Sequence, residues 1–194
     1  TRKESSAASD VYKRQHLGDR GWKRTGIEKF PPLVARGVLI DVAALKGVDM
    51  LPDQYRITRQ DLKAALARQK TELHQGDIVL IRTGRMKLYN DPAAYMAKPP
   101  GMGLDAARYL VEEGGAMILG ADNLSFETFP SEVSDDYVPL HTYLLAQQGV
   151  PIIELAALDE LSRDQVYEFA FIGGPLKIRG GDAAPLRPVA MPLR

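Results

Sequence analysis

Residues Pro139 to Leu158 read PLHTYLLAQQGVPIIELAAL. Leu140, Leu144 and Leu145 recur at helical spacing, Gln147-Gln148-Gly149 reads as a helix end, and Pro151 opens the short β-branched run Ile152-Ile153. The stretch therefore predicts a helix handed directly to a buried strand. Two ionisable groups interrupt it: His141 falls in the first helical turn, and Glu154 at or near the strand end. A carboxylate in such a place costs free energy unless it is paired, protonated or bound to a metal. Two readings stay open on these residues alone. Glu154 pairs with an arginine while His141 is a satisfied helix-end residue, or both belong to a ligand crevice at the carboxyl ends of the strands.

The same alternation extends upstream and downstream. Val38 to Val42 (VLIDV) predicts a strand after Pro31-Pro32, and Ile78 to Thr83 (IVLIRT) a second, entered through Gly76-Asp77. Ala116 to Ala121 (AMILGA) predicts a third strand, and Glu168 to Ile178 (EFAFIGGPLKI) a final strand-like run with a bulge at Gly173-Gly174. Between them, Thr58-Arg59-Gln60-Asp61 resembles a capping box with Asp in place of Glu, starting a helix that carries Leu62, Ala65, Leu66 and Gln69. Leu104 to Glu113 is a further amphipathic helix closed by Gly114-Gly115. This order predicts an α/β domain, a mixed sheet with flanking helices and at least some parallel pairing.

Long irregular stretches, Gly84 to Gly103 and Asn123 to Pro139, break the pattern, and loops of that length are usually functional or face a partner. The first is apolar for a loop, with Met86, Leu88, Tyr89, Tyr95 and Met96. It either packs on its own domain or contributes to a homodimer or larger homo-oligomer. Two turns after apparent strands carry polar groups: Arg82 to Arg85, and Asp122-Asn123 through Glu127. Taken alone, Asp122 is more often a turn or N-cap residue than a ligand, and Arg82 more often an ion-pair partner.

Composition narrows the chemistry. The 194 residues suit one domain, and 25 Lys and Arg balance 25 Asp and Glu, which favours a small-molecule or protein partner over nucleic acid or a membrane. With no cysteine, a metal could be held only by His, Asp, Glu or backbone oxygens. The apolar runs are far below spanning length, and a cytoplasmic protein is expected. The opening TRKESSAASDVYKRQ has almost no apolar content, so residues 1–17 are expected to be a disordered tail or a non-native scar, with residues 18–194 forming a single, incomplete α/β domain. The motifs G-x-G-x-x-G between strand and helix, G-x-S-x-G and H-E-x-x-H do not occur.

The segments GIEKFPPLVARGVLIDVAALKG, GDIVLIRTG, GADNLSFETFPS, LHTYLLAQQGVPIIELAALDEL and FIGGPLKIRGGDAAPLRPVA, in this order, resemble the cyclase family of metal-dependent hydrolases. That family includes bacterial kynurenine formamidase and isatin hydrolase. The resemblance implies a swivelling β/β/α fold, an N-terminally truncated chain, and hydrolysis of a small amide, as in tryptophan catabolism, with zinc or manganese as cofactor. It places His141 and Glu154 as metal ligands and Asp122 and Glu127 in a pocket-lining loop; Arg82, read from its turn after a strand, is the further substrate-binding candidate. The family's upstream H-x-G-T-H-x-D-x-x-x-H segment does not occur in this sequence, where the upstream histidine His16 stands in HLGDRGW. No catalytic residue is therefore assigned, and a non-catalytic ligand-binding or interaction module on the same scaffold is the alternative.

Overall fold

The computed structural model describes residues 17–18, 21–22 and 26–193. Of the expected tail over residues 1–17, residues 1–16, with His16, lie outside them, whereas Leu17 opens β1 (Leu17–Gly18), which pairs antiparallel with β2 (Gly21–Trp22). A six-stranded sheet carries the rest. Its strands are β3 (Leu33–Asp41), β5 (Ile78–Arg82), β7 (Ile118–Ala121), β8 (Ile152–Ile153), β9 (Glu168–Gly173) and β10 (Val189–Pro192), in the order β10-β9-β3-β5-β7-β8. Pairing is parallel from β3 through β8 and antiparallel from β3 through β9 to β10, so the sheet is mixed, as the alternation predicts. β4 (Arg56–Ile57) and β6 (Gly101–Met102) form a separate parallel pair.

Why the apolar strands lie centrally follows from the period of two. Val38 and Ile40 of β3 and Val79 and Ile81 of β5 enter one core, together with Leu62 and Leu66 from α2 (Arg59–Gln69) and Leu140 and Leu144 near His141. Leu39, Ile78 and Leu80 point to the other face and pack with Ile118, Phe169 and Phe171. Gly37 pairs with Phe169, and a Cβ there would fall on the Phe169 ring. The helices are α1 (Val42–Leu45), α2, α3 (Pro92–Met96), α4 (Leu104–Arg108), which continues through a π-helical turn to Glu113, α5 (Pro139–His141) and α6 (Asp159–Arg163). Among the described residues no helix is long and apolar enough to cross a membrane.

The capping box is present with Asp61 in the Glu role: Asp61 N–H donates to Thr58 Oγ1 at 3.2 Å, and Thr58 N–H donates to the Asp61 carboxylate at 2.9 Å. Thr58→Ala is expected to lower stability by about 1 kcal/mol in chemical denaturation, the usual cost of losing an N-cap oxygen.

Four local expectations change. Val42 leaves the strand because the Asp41 carboxylate accepts from Ala44 N–H at 2.8 Å and starts α1. The final run stops being a strand at Gly173 instead of bulging there. β10 pairs on β9 although its Val-Ala-Met-Pro sequence carries no alternation. The Gly84 to Gly103 stretch contains a 3-10 turn (Arg85–Leu88), α3 and β6, pinned by buried Arg85, which donates to the Tyr95 and Ala94 carbonyls and pairs with Asp53 at 2.9 Å.

Candidate active site

The three parallel strands β5, β7 and β8 end side by side, and the loops leaving them build the site. β8 is the sheet edge and only half-buried, so Glu154, directly after it, is less enclosed than a central strand would make it. Two backbone bonds fix its position: Leu155 N–H donates to the Asn123 carbonyl at 3.1 Å and Ala156 N–H to the Ala121 carbonyl at 3.0 Å. His141 closes α5, and the chain continues as a π-helical turn over Thr142–Gln148 to Gly149, whose φ of 67° lets the chain leave the helix. Buried Leu140, Tyr143 and Leu144 anchor this helix and leave the His141 ring at the core boundary.

Glu127 comes from the loop after β7 and is bridged to Met102 of β6. A Cβ at Gly101 would collide with the Glu127 backbone, so the two chains approach as closely as a glycine permits. The Glu127 carboxylate lies 2.6 Å from His141 Nδ1, and on the other side of the ring Nε2 lies 3.5 Å from Glu154 Oε1. The side chains of Glu127, His141 and Glu154 are 2%, 29% and 29% exposed, so the array runs from the interior to an open edge. Burial works against the imidazolium, but the hydrogen bonds and charges of Glu127 and Glu154 outweigh it and push the His141 pKa up to about 9.

Asp122 and Arg82 sit elsewhere in the crevice with their polar groups engaged. The buried Asp122 carboxylate accepts from Thr83 N–H, Thr83 Oγ1 and Gly84 N–H at 2.9, 2.6 and 2.7 Å, tying the end of β5 to the end of β7. Arg82 pairs with Asp41 at 3.1 Å and Asp159 at 2.8 Å and donates to the Asp49 carbonyl. Both read here as clamps between strand ends. Thus the structure brings together His141, Glu154 and Glu127, and leaves Asp122 and Arg82 to hold the scaffold beneath them.

Two residues play parts that sequence reading does not assign, although it places Asn123 in its polar turn. Tyr95, counted there only as an apolar loop residue, donates its hydroxyl to the Asp122 carbonyl at 2.7 Å, and burial, then Asp122 and Glu154, raise its pKa so that it stays protonated. Asn123 is fully buried, donates to the Pro100 carbonyl at 2.6 Å, and leaves its side-chain Oδ1 without a hydrogen-bond partner. Neither contact carried a sequence signal, because both arise only when the Gly84 to Gly103 segment folds over the strand ends.

The donor set suits a divalent ion as part of a larger site. Two bonds of about 2.1 Å to one tetrahedral zinc place their donor atoms roughly 3.4 Å apart. The Nε2 to Oε1 separation of 3.5 Å fits that requirement. Among the described residues no group of three or more His, Asp or Glu is disposed to hold a metal, so His141 and Glu154 would supply two ligands and the others would come from outside them.

The Cyclase family model matches residues 13–128, which include Asp122 and Glu127 and stop short of His141. Among solved structures, one described as a novel cyclase is 34% identical, with a TM-score of 0.80 over 92% of this chain and 61% of its own. Isatin hydrolase A from Ralstonia solanacearum is 25% identical, with a TM-score of 0.70 over 85% of this chain and 63% of its own. An isatin hydrolase bound to the product analogue thioisatinate is 26% identical, with a TM-score of 0.67 over 81% of this chain and 60% of its own. The chain thus spans about three fifths of the length of these structures. No curated protein matches it.

Proposed function

The chain belongs to the Cyclase family, and from that premise we propose that it supplies His141 and Glu154 to the divalent-metal centre of a hydrolase that opens a small amide, an N-formyl arylamine or an isatin-like lactam. The observation that carries this reading is the Glu127–His141–Glu154 array, in which His141 Nε2 and Glu154 Oε1 stand 3.5 Å apart and both side chains are partly exposed. When bound, zinc or manganese would lower the pKa of a bound water and polarise the amide carbonyl. His141 would offer Nε2 and Glu154 Oε1 to the ion, while buried Tyr95 keeps its proton and ties the Gly84 to Gly103 segment to the Asp122 carbonyl beneath them. The isatin hydrolases among the similar structures support the amide class. Tryptophan catabolism and a homodimeric or larger assembly belong to the same proposal and rest on the resemblance, while a cytoplasmic site of action rests on the shortness of the apolar runs.

The second reading is a non-catalytic ligand-binding module on the same scaffold, in which the buried hydrogen bonds of Asp122 and the ion pairs of Arg82 serve the fold alone. Thermal unfolding of the chain with and without zinc or manganese, beside the loss of isatin absorbance, separates them. The hydrolase reading expects a metal-dependent rise in Tm, about 2.7 kcal/mol of stabilisation at a hundred times Kd, and isatin opening that stops with a chelator. A Tm indifferent to both ions together with no turnover would leave the binding module.

A further inference from the structure

A neutral imidazole carries one N–H, and the partner of one ring nitrogen decides what the other can do. His141 stands between two carboxylates that could each claim that proton. The contest is unequal. Glu127 Oε1 is 2.6 Å from Nδ1 and its side chain is 2% exposed, whereas Glu154 Oε1 is 3.5 Å from Nε2 and its side chain is 29% exposed. A short hydrogen bond to a carboxylate in a dry environment is the stronger of the two. An ionised carboxylate only accepts, so Nδ1 must be the donor.

Glu127 is also held where it can enforce this. Its carboxylate accepts long bonds from Leu140 N–H at 3.4 Å and His141 N–H at 3.3 Å, and its own carbonyl accepts from Ser125 Oγ at 2.8 Å. Its backbone lies against Gly101 with no room for a side chain, on the bridge to Met102.

We propose that Glu127 is the positioning residue of this site: its 2.6 Å bond to Nδ1–H fixes the orientation of the His141 ring so that Nε2 faces Glu154, and keeps the remaining proton on Nδ1 when the ring is neutral. Glu127 thereby acts through His141 and does not bind substrate. The inference rests on the reading of His141 and Glu154 as a metal pair only for its purpose, since the tautomer is a property of the chain without metal. Such supporting partners of a metal-binding histidine are worth about 10- to 100-fold in metal affinity.

The test uses the full chain, free of metal and labelled with 15N at histidine, at a pH where the His141 ring is neutral. Long-range proton–nitrogen correlation is expected to show the Nδ1–H pattern for wild type and a shift to Nε2–H in Glu127→Leu. Glu127→Gln, which keeps an acceptor for the two backbone N–H groups and guards against misfolding, is expected to show a mixed pattern and zinc affinity 10- to 100-fold below wild type. An Nε2–H pattern in wild type, or the same pattern in all three proteins, would overturn the assignment. Wild type that holds the Nδ1–H tautomer yet binds no zinc would count against the hydrolase reading while upholding the role of Glu127.

Discussion

Asp122→Ala is expected to destabilise the fold by about 3 kcal/mol or more at neutral pH, the largest stability loss we foresee at any crevice residue. The carboxylate accepts three hydrogen bonds, two of them from backbone N–H groups of Thr83 and Gly84 that have gone into a buried turn. Each buried donor left unpaired costs about 1–3 kcal/mol. Asp122→Asn keeps one acceptor but sets an NH2 among donors, so it should fall between wild type and alanine. Burial raises the Asp122 pKa from 3.8 to about 6, against the pull of the Thr83 and Gly84 hydrogen bonds. The folded state then holds this proton more tightly than the unfolded chain. Its contribution is fully present below pH 3.8 and is lost as pH rises through about 6. Urea denaturation at pH 4 and pH 7 should therefore show a larger gap between wild type and Asp122→Ala at the lower pH. A gap under 1 kcal/mol at both would mean that Asp122 is not a clamp.

The elements legible in the sequence are those whose residues announce a period. β5 is apolar at every position but its last and is buried at every one, and α2 shows both its capping box and its buried Leu62, Ala65 and Leu66. β10 was illegible because an edge strand owes its existence to the hydrogen bonds of β9, not to a pattern of its own. His141 and Glu154 stood out because an ionisable group in an apolar run is costly. Glu127 could be placed in the right loop but not against Nδ1, since that contact joins residues 14 apart through a turn with no regular period. Arg82 and Asp122 looked like crevice residues for the same reason that they are clamps: the ends of parallel strands need polar groups to tie their backbones, and sequence alone does not say whether such a group faces inward or toward a ligand.

Glu154→Ala and His141→Ala are expected to lower zinc or manganese affinity alike, by at least about 100-fold, a loss larger than that typical of a supporting partner. Their effects on stability should differ, and the difference tests the geometry. Removing the His141 ring strands the Glu127 carboxylate, 2% exposed, without the cation that balances it, and removing one partner of a buried pair costs about 3–5 kcal/mol in full burial. The partly exposed His141 places this site below that range. Removing Glu154 takes away a half-exposed carboxylate 3.5 Å from its partner, the kind of interaction worth roughly 0–1 kcal/mol. Glu154→Ala should therefore melt almost like wild type in the absence of metal and lose the metal-dependent rise in Tm, while His141→Ala should lose both. Calorimetric titration with each ion, beside the metal-free melts, reads the two quantities separately. Full metal affinity in the well-folded Glu154→Ala protein would remove Glu154 from the metal centre, and with it the geometric basis for reading this crevice as a hydrolase site.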